Sequence, residues 1–180
     1  ILQSALLIGL ASFVGLLAAT QIGLGTPILQ AVVNGQPVMG TILLLLPVTV
    51  LLGFASGVFI LALEAAYFAR RIPRELAGMD HRMAFWKRVL ACFYGGIVEE
   101  IYMRLFLMSS LAWLIGLVWK APNGTPAVGA FWMANILAAL LFGAGHLPAT
   151  AMVTKITPTI VARALVLNGV PGVVCGYLYM

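Results

Sequence analysis

Five stretches of this chain run for about 20 residues or more with hardly a charged side chain, which leaves few folds open. They cover roughly residues 1–24, 40–69, 89–119, 129–153 and 157–180. In hydrocarbon every backbone N–H and C=O has to be satisfied inside its own segment, so runs of this length are read as helices. Thr26-Pro27 and Asn34-Gly35 break the chain after the first run, and Pro122-Asn123-Gly124 closes the third. Pro47 is placed to kink the second. The composition agrees, with 63% apolar and 8% charged residues, against roughly 25% charged in a soluble domain. Too little charge exists to cover a water-facing surface, which excludes a soluble enzyme, a disordered tail and a disulfide-stapled secreted domain. Cys92 and Cys175 both lie in apolar runs and suggest no disulfide. The expected fold is all-α, a polytopic transmembrane bundle of about five spans.

Charge placement gives the orientation. Six of the ten Lys and Arg residues fall between positions 70 and 88: Arg70, Arg71, Arg74, Arg82, Lys87 and Arg88. By the positive-inside rule this loop is cytoplasmic, Lys155 then falls on the same side, and Lys120 lies opposite. Trp86 marks the inner interface, with Trp119 and Trp132 at the outer one. The net charge of +5 therefore reflects one loop of a multi-pass integral membrane protein, and no nucleic-acid partner is expected. The basic loop also suits anionic lipid head groups. The chain opens on Ile1 inside an apolar run and reads as the ordered part of a longer protein.

Ionisable groups at bilayer depth cost about 2.5–3.5 kcal/mol each on insertion scales, so each calls for a reason. The third run holds Glu99, Glu100 and Arg104, and the fourth holds His146, preceded by Phe142. Glu100 and Arg104 stand four residues apart on one helix face, acid first, and are placed to pair. Glu99 points about 100° away and has no partner at helical spacing, so it needs one from another helix. His146 is the only histidine within the runs. Counting from Val89 and from Lys155, Glu99 lies roughly 15 Å and His146 roughly 13–14 Å above the inner boundary. A carboxylate and an imidazole at one level can activate a water, the carboxylate as general base, the imidazole orienting it or protonating the leaving amine. Side-chain chemistry alone leaves this reading and a register-fixing ion pair both open.

Taken together, Glu99-Glu100-x-x-x-Arg104 and, about forty residues later, Phe142-x-x-x-His146 resemble the CPBP family of CAAX proteases and bacteriocin-processing enzymes (the Abi family), which includes the Rce1-type prenyl-protein proteases. The glycine-rich stretch from Asn168 to Tyr179 resembles the helix that follows the His motif in that family. The resemblance covers about residues 89–180 as a catalytic core, preceded by membrane helices and the basic loop in 1–88. It implies intramembrane peptide hydrolysis without a covalent intermediate, with Glu99 as the base on water, His146 as its partner, and Glu100, Arg104 and Phe142 in support. The implied substrate is a membrane-associated peptide or protein, a prenylated CAAX protein where the organism makes them, or a leader peptide or membrane protein in a bacterium, where the chain would lie in the cell membrane. The family's last motif, His-x-x-x-Asn or Asp, serves the oxyanion. It has no match here, because Asn168, a candidate supporting residue, follows Ala164 at that spacing. It is expected in a further C-terminal helix, or else the oxyanion site is incomplete.

Other chemistries fit less well. A zinc protease needs about three protein ligands. Only Glu99, His146 and Glu100 are placed to serve, His81 sits in the basic loop, and no His-Glu-x-x-His occurs, so no cofactor is expected. Cys92 shares a face with Glu99 but reads as a small buried filler. Ser109 and Ser110 lack a histidine at their depth. Glu64 is expected to reach Arg70-Arg71 or water, Asn135 and Asn168 to hydrogen-bond between helices, and Gly53-x-x-x-Gly57 and Gly172-x-x-x-Gly176 to pack helices within the chain. The rival readings are a non-catalytic scaffold or regulator that keeps the site's residues, and a transporter lined by buried charges.

Overall fold

The computed structural model describes residues 2–73, 76 and 84–180; Arg74, Glu75, Asp80, His81 and Arg82 of the basic loop lie outside them. In chain order the helices are α1 (Leu2–Gln21), a short α2 (Pro27–Val33), α3 (Met39–Phe68), α4 (Phe85–Val118), α5 (Val128–Gly145), α6 (Leu147–Ala151) and α7 (Pro158–Tyr179). With α5 and α6 sharing one span, five are long and apolar enough to cross a membrane. Among the described residues there is no strand, only an isolated bridge between Lys120 and Pro126. The chain is an all-α, multi-pass integral membrane protein.

Small residues set the packing, since lipid gives apolar helices no hydrophobic reason to associate and close backbone approach has to supply the contact. The α5–α7 seam is the clearest case. A Cβ built on Gly172 would stand 3.1 Å from that of Ala139, one on Gly143 would press on the Ala164 carbonyl, and one on Gly176 would overlap Asn135. Asn135, 1% exposed, donates Nδ2–H to the Val173 carbonyl at 3.0 Å and ties the seam, as expected of a polar residue between helices. Asn168 instead bonds its own helix, Nδ2 to the Ala164 carbonyl at 2.9 Å. On the other side of the bundle, α1 buries Ala11, Gly15, Ala18 and Ala19, with Gly15 against the Leu105 backbone of α4.

Three local expectations change. The segment between the first two spans is not only turn, because Pro27 opens and Gly35 (φ +69°) follows a seven-residue helix, the usual start and stop signals. Gly53 and Gly57 pack against nothing, since an added Cβ at either would find open space within 4 Å; α3 buries no residue before Phe68. Two stretches are π-helical, Glu64–Phe68 and Ile101–Met108, so ideal α spacing does not run through either. Single π-turns inside helices occur often at functional sites, and these two begin at or directly after the acidic residues of α3 and α4.

Candidate active site

Arg104 anchors the site. It lies in the π-helical part of α4, 5% exposed, and its charge is satisfied from three directions. Nη2 donates to the Gly172 carbonyl of α7 at 2.8 Å, Nε stands 3.4 Å from the Glu100 carboxylate, and the guanidinium faces the Phe142 ring of α5 at 5.8 Å. The Glu100–Arg104 pair thus forms as helical spacing requires, although the Glu100 side chain stays 47% exposed while Arg104 carries the burial. The Cys175 thiol interacts with both charges.

Phe142 passes the contact on. Its ring meets that of His146 edge-on, centroids 4.8 Å apart and planes at 87°. The Phe142 carbonyl lies 2.8 Å from His146 Nδ1. A carbonyl only accepts, so Nδ1 carries the proton and, in the neutral ring, Nε2 keeps its lone pair. His146 sits where the span breaks between α5 and α6, because Pro148 in the first turn of α6 has no N–H to continue the helix. A height counted along one unbroken helix from Lys155 therefore does not apply to this residue.

Glu99 is placed differently. It lies on the first part of α4, Phe85–Glu100, which buries no residue. Its carboxylate rests over Gly95, whose missing side chain leaves the room: a Cβ there would sit 3.5 Å from Oε1. Among the described residues no hydrogen bond or ion pair joins Glu99 to His146. The structure brings together Glu100, Arg104, Phe142 and His146, and leaves the Glu99 carboxylate unpartnered among the described residues. Cys92, on the same bare stretch, is exposed and not a buried filler.

His146 borders a cavity of about 360 Å³ whose wall also includes Ile60, Thr150, Arg163, Leu167 and Asn168. Arg163 is absent from the candidates read off the sequence. The rule that flagged Arg104, an arginine inside a span, applies equally to it. Its Nε donates to Glu64 Oε2 at 2.8 Å, so Glu64 reaches across to α7 and not to Arg70-Arg71. Arg71 is satisfied locally, donating Nη1–H to the Tyr67 carbonyl at 2.7 Å with its guanidinium 4.0 Å above that ring. Ser109 is fully buried and held by Tyr179 at 2.9 Å and the Arg104 carbonyl at 3.2 Å, a helix tie with no histidine at hand.

With this geometry in view, residues 81–180 match the family model of Rce1-like type II CAAX prenyl endopeptidases. The chain belongs to that family. No curated protein and no solved structure matches. As a Rce1-like protein it is a membrane protein of an endopeptidase family, and the matched stretch carries Glu99, Glu100, Arg104, Phe142, His146, Arg163 and Asn168.

Proposed function

We propose that this protein hydrolyses a peptide bond of a membrane-associated, prenylated substrate with a water activated by Glu99 and His146. Arg104 supports this reading by acting as a common reference for the two. Glu99 lies five residues before Arg104 on α4, and His146 four residues after Phe142 on α5. The two helices run antiparallel, so both steps lead from the Arg104–Phe142 contact towards the basic-loop end. That shared direction supports a carboxylate, unpartnered among the described residues, and an imidazole serving one site.

In the proposed reaction the Glu99 carboxylate takes a proton from water as the water oxygen attacks the scissile carbonyl carbon. His146 Nε2 accepts a hydrogen bond from the same water and fixes its direction. The C–N bond then breaks, and the Glu99 carboxyl returns its proton to the departing amine. Asn168 uses one N–H of its amide on Ala164 and keeps a second to offer the oxyanion. Arg104 and Phe142 hold His146, and Glu100 holds Arg104.

Among the described residues no three His, Cys, Asp or Glu side chains gather as metal ligands. The positive charge between residues 70 and 88 supports a cytoplasmic placement of that loop and of the cavity end beside it.

The observation that carries the reading is the His146 ring, fixed through Nδ1, on a residue that borders the cavity. The test is cleavage of a farnesylated peptide by the full chain reconstituted in nanodiscs. Glu99→Gln and His146→Ala are each expected to reduce kcat by at least about 10²-fold, as loss of a general base does. Unchanged cleavage by both variants, or none by the wild type, would remove the assignment and leave a non-catalytic scaffold.

A further inference from the structure

Arg163 sits inside a membrane span and is only half satisfied. Among the described residues its single side-chain hydrogen bond runs through Nε to Glu64. Among those residues the two terminal nitrogens have no partner, yet the side chain is 35% exposed and borders the same cavity as His146. A guanidinium held by a carboxylate on its Nε edge presents the Nη pair as a fork, and a fork fits a second carboxylate two bonds at a time. We infer that Arg163, oriented by Glu64, is the subsite that binds the C-terminal carboxylate of a peptide substrate.

Geometry limits what can fill the space. Along α7, Arg163 and Asn168 on the cavity wall stand five residues apart, roughly 7.5 Å of helix. Three extended residues span about 10 Å. A short peptide tail can therefore reach from a bond beside His146 and Asn168 to a carboxylate at Arg163. The intervening wall is apolar, with Ile60, Ala164 and Leu167, and suits aliphatic side chains. Glu64 contributes from α3, which buries no residue before Phe68 and also supplies Ile60 to the cavity wall.

This subsite rests on the proposed peptidase reading for its substrate, but its test is binding and does not depend on turnover. The probes are a fluorescent farnesylated tetrapeptide with a free C-terminal carboxylate and the same peptide as its C-terminal amide, titrated against the full chain in phosphatidylcholine nanodiscs. Charge-assisted hydrogen bonds of this kind predict that wild type holds the acid about 10- to 100-fold more tightly than the amide. Arg163→Gln is expected to bind the acid as weakly as wild type binds the amide, and to leave amide binding unchanged. Arg163→Lys, which keeps the charge but loses the fork, should recover only part of the preference. Glu64→Gln should weaken acid binding by releasing the guanidinium. Equal affinity of wild type for acid and amide overturns the subsite, as does an equal loss of both peptides in Arg163→Gln, which would mark a fold-holding ion pair. If binding discriminates while Glu99→Gln still cleaves at the wild-type rate, the carboxylate subsite stands and the catalytic assignment fails.

Discussion

Arg104 and Glu100 form one ion pair but do not contribute equally. Arg104 is buried and bonded to Gly172 on another helix, whereas Glu100 is nearly half exposed. Removing a partner from a buried charge-assisted bond costs about 1.5–3 kcal/mol, while an exposed i,i+4 pair is worth about 0.3–0.5 kcal/mol. Arg104→Met is therefore expected to lower the unfolding free energy in detergent by about 2 kcal/mol, and Glu100→Gln by less than about 0.5 kcal/mol. Equal losses in the two variants would mean that the Gly172 bond contributes nothing. The Glu100–Arg104 pair was legible because both partners lie on one helix. The Glu64–Arg163 pair was not, since its members lie 99 positions apart and spacing along a chain does not report which spans become neighbours.

The two glycine motifs are alike in sequence and opposite in surroundings. Gly176 lies against Asn135 and Gly172 against Ala139, so a side chain at either would force α5 and α7 apart. Gly176→Val is expected to destabilise by about 1–3 kcal/mol or more, the usual cost of overpacking. Gly57→Ala meets no neighbour and should be neutral, or stabilising by up to about 1 kcal/mol through helix propensity. Unfolding of both variants under one detergent condition checks the contrast. The motif licenses close approach but does not say whether a partner arrives. The π-helical stretch Ile101–Met108 and the break at His146 also belong to this level. Pro148 accounts for the break, although the fourth span was read straight through it, and no single residue type signals a shift to i→i+5 bonding.

For the molecule as a whole, the uneven loop charges make a directional claim. In a Cys92→Ser, Cys175→Ala background, a cysteine at Lys87 is expected to react with a membrane-impermeant maleimide only from the cytoplasmic side. A cysteine at Lys120 should react only from the opposite side. Labelling of both from one side would refute the orientation and, with it, access to the His146 cavity from the cytoplasm. The bundle itself is held unevenly, with α5, α7 and the second part of α4 packed closely, while α3 and the Phe85–Glu100 stretch bury almost nothing. The elements that carry Glu99 and Glu64 are therefore the loosely held ones.

The sequence alone determined the five apolar runs, the insertion cost of Glu99, Glu100, Arg104 and His146 within them, and the family motifs that those side chains form. Hydrophobic length and insertion cost are properties of each segment by itself, so no knowledge of neighbours is needed. Which charge meets which was decided only when the helices packed. The approach of small residues at Gly143, Gly172 and Gly176 sets the register between α5 and α7. Through that register it brings Phe142 to Arg104 and His146 to the cavity that Arg163 shares.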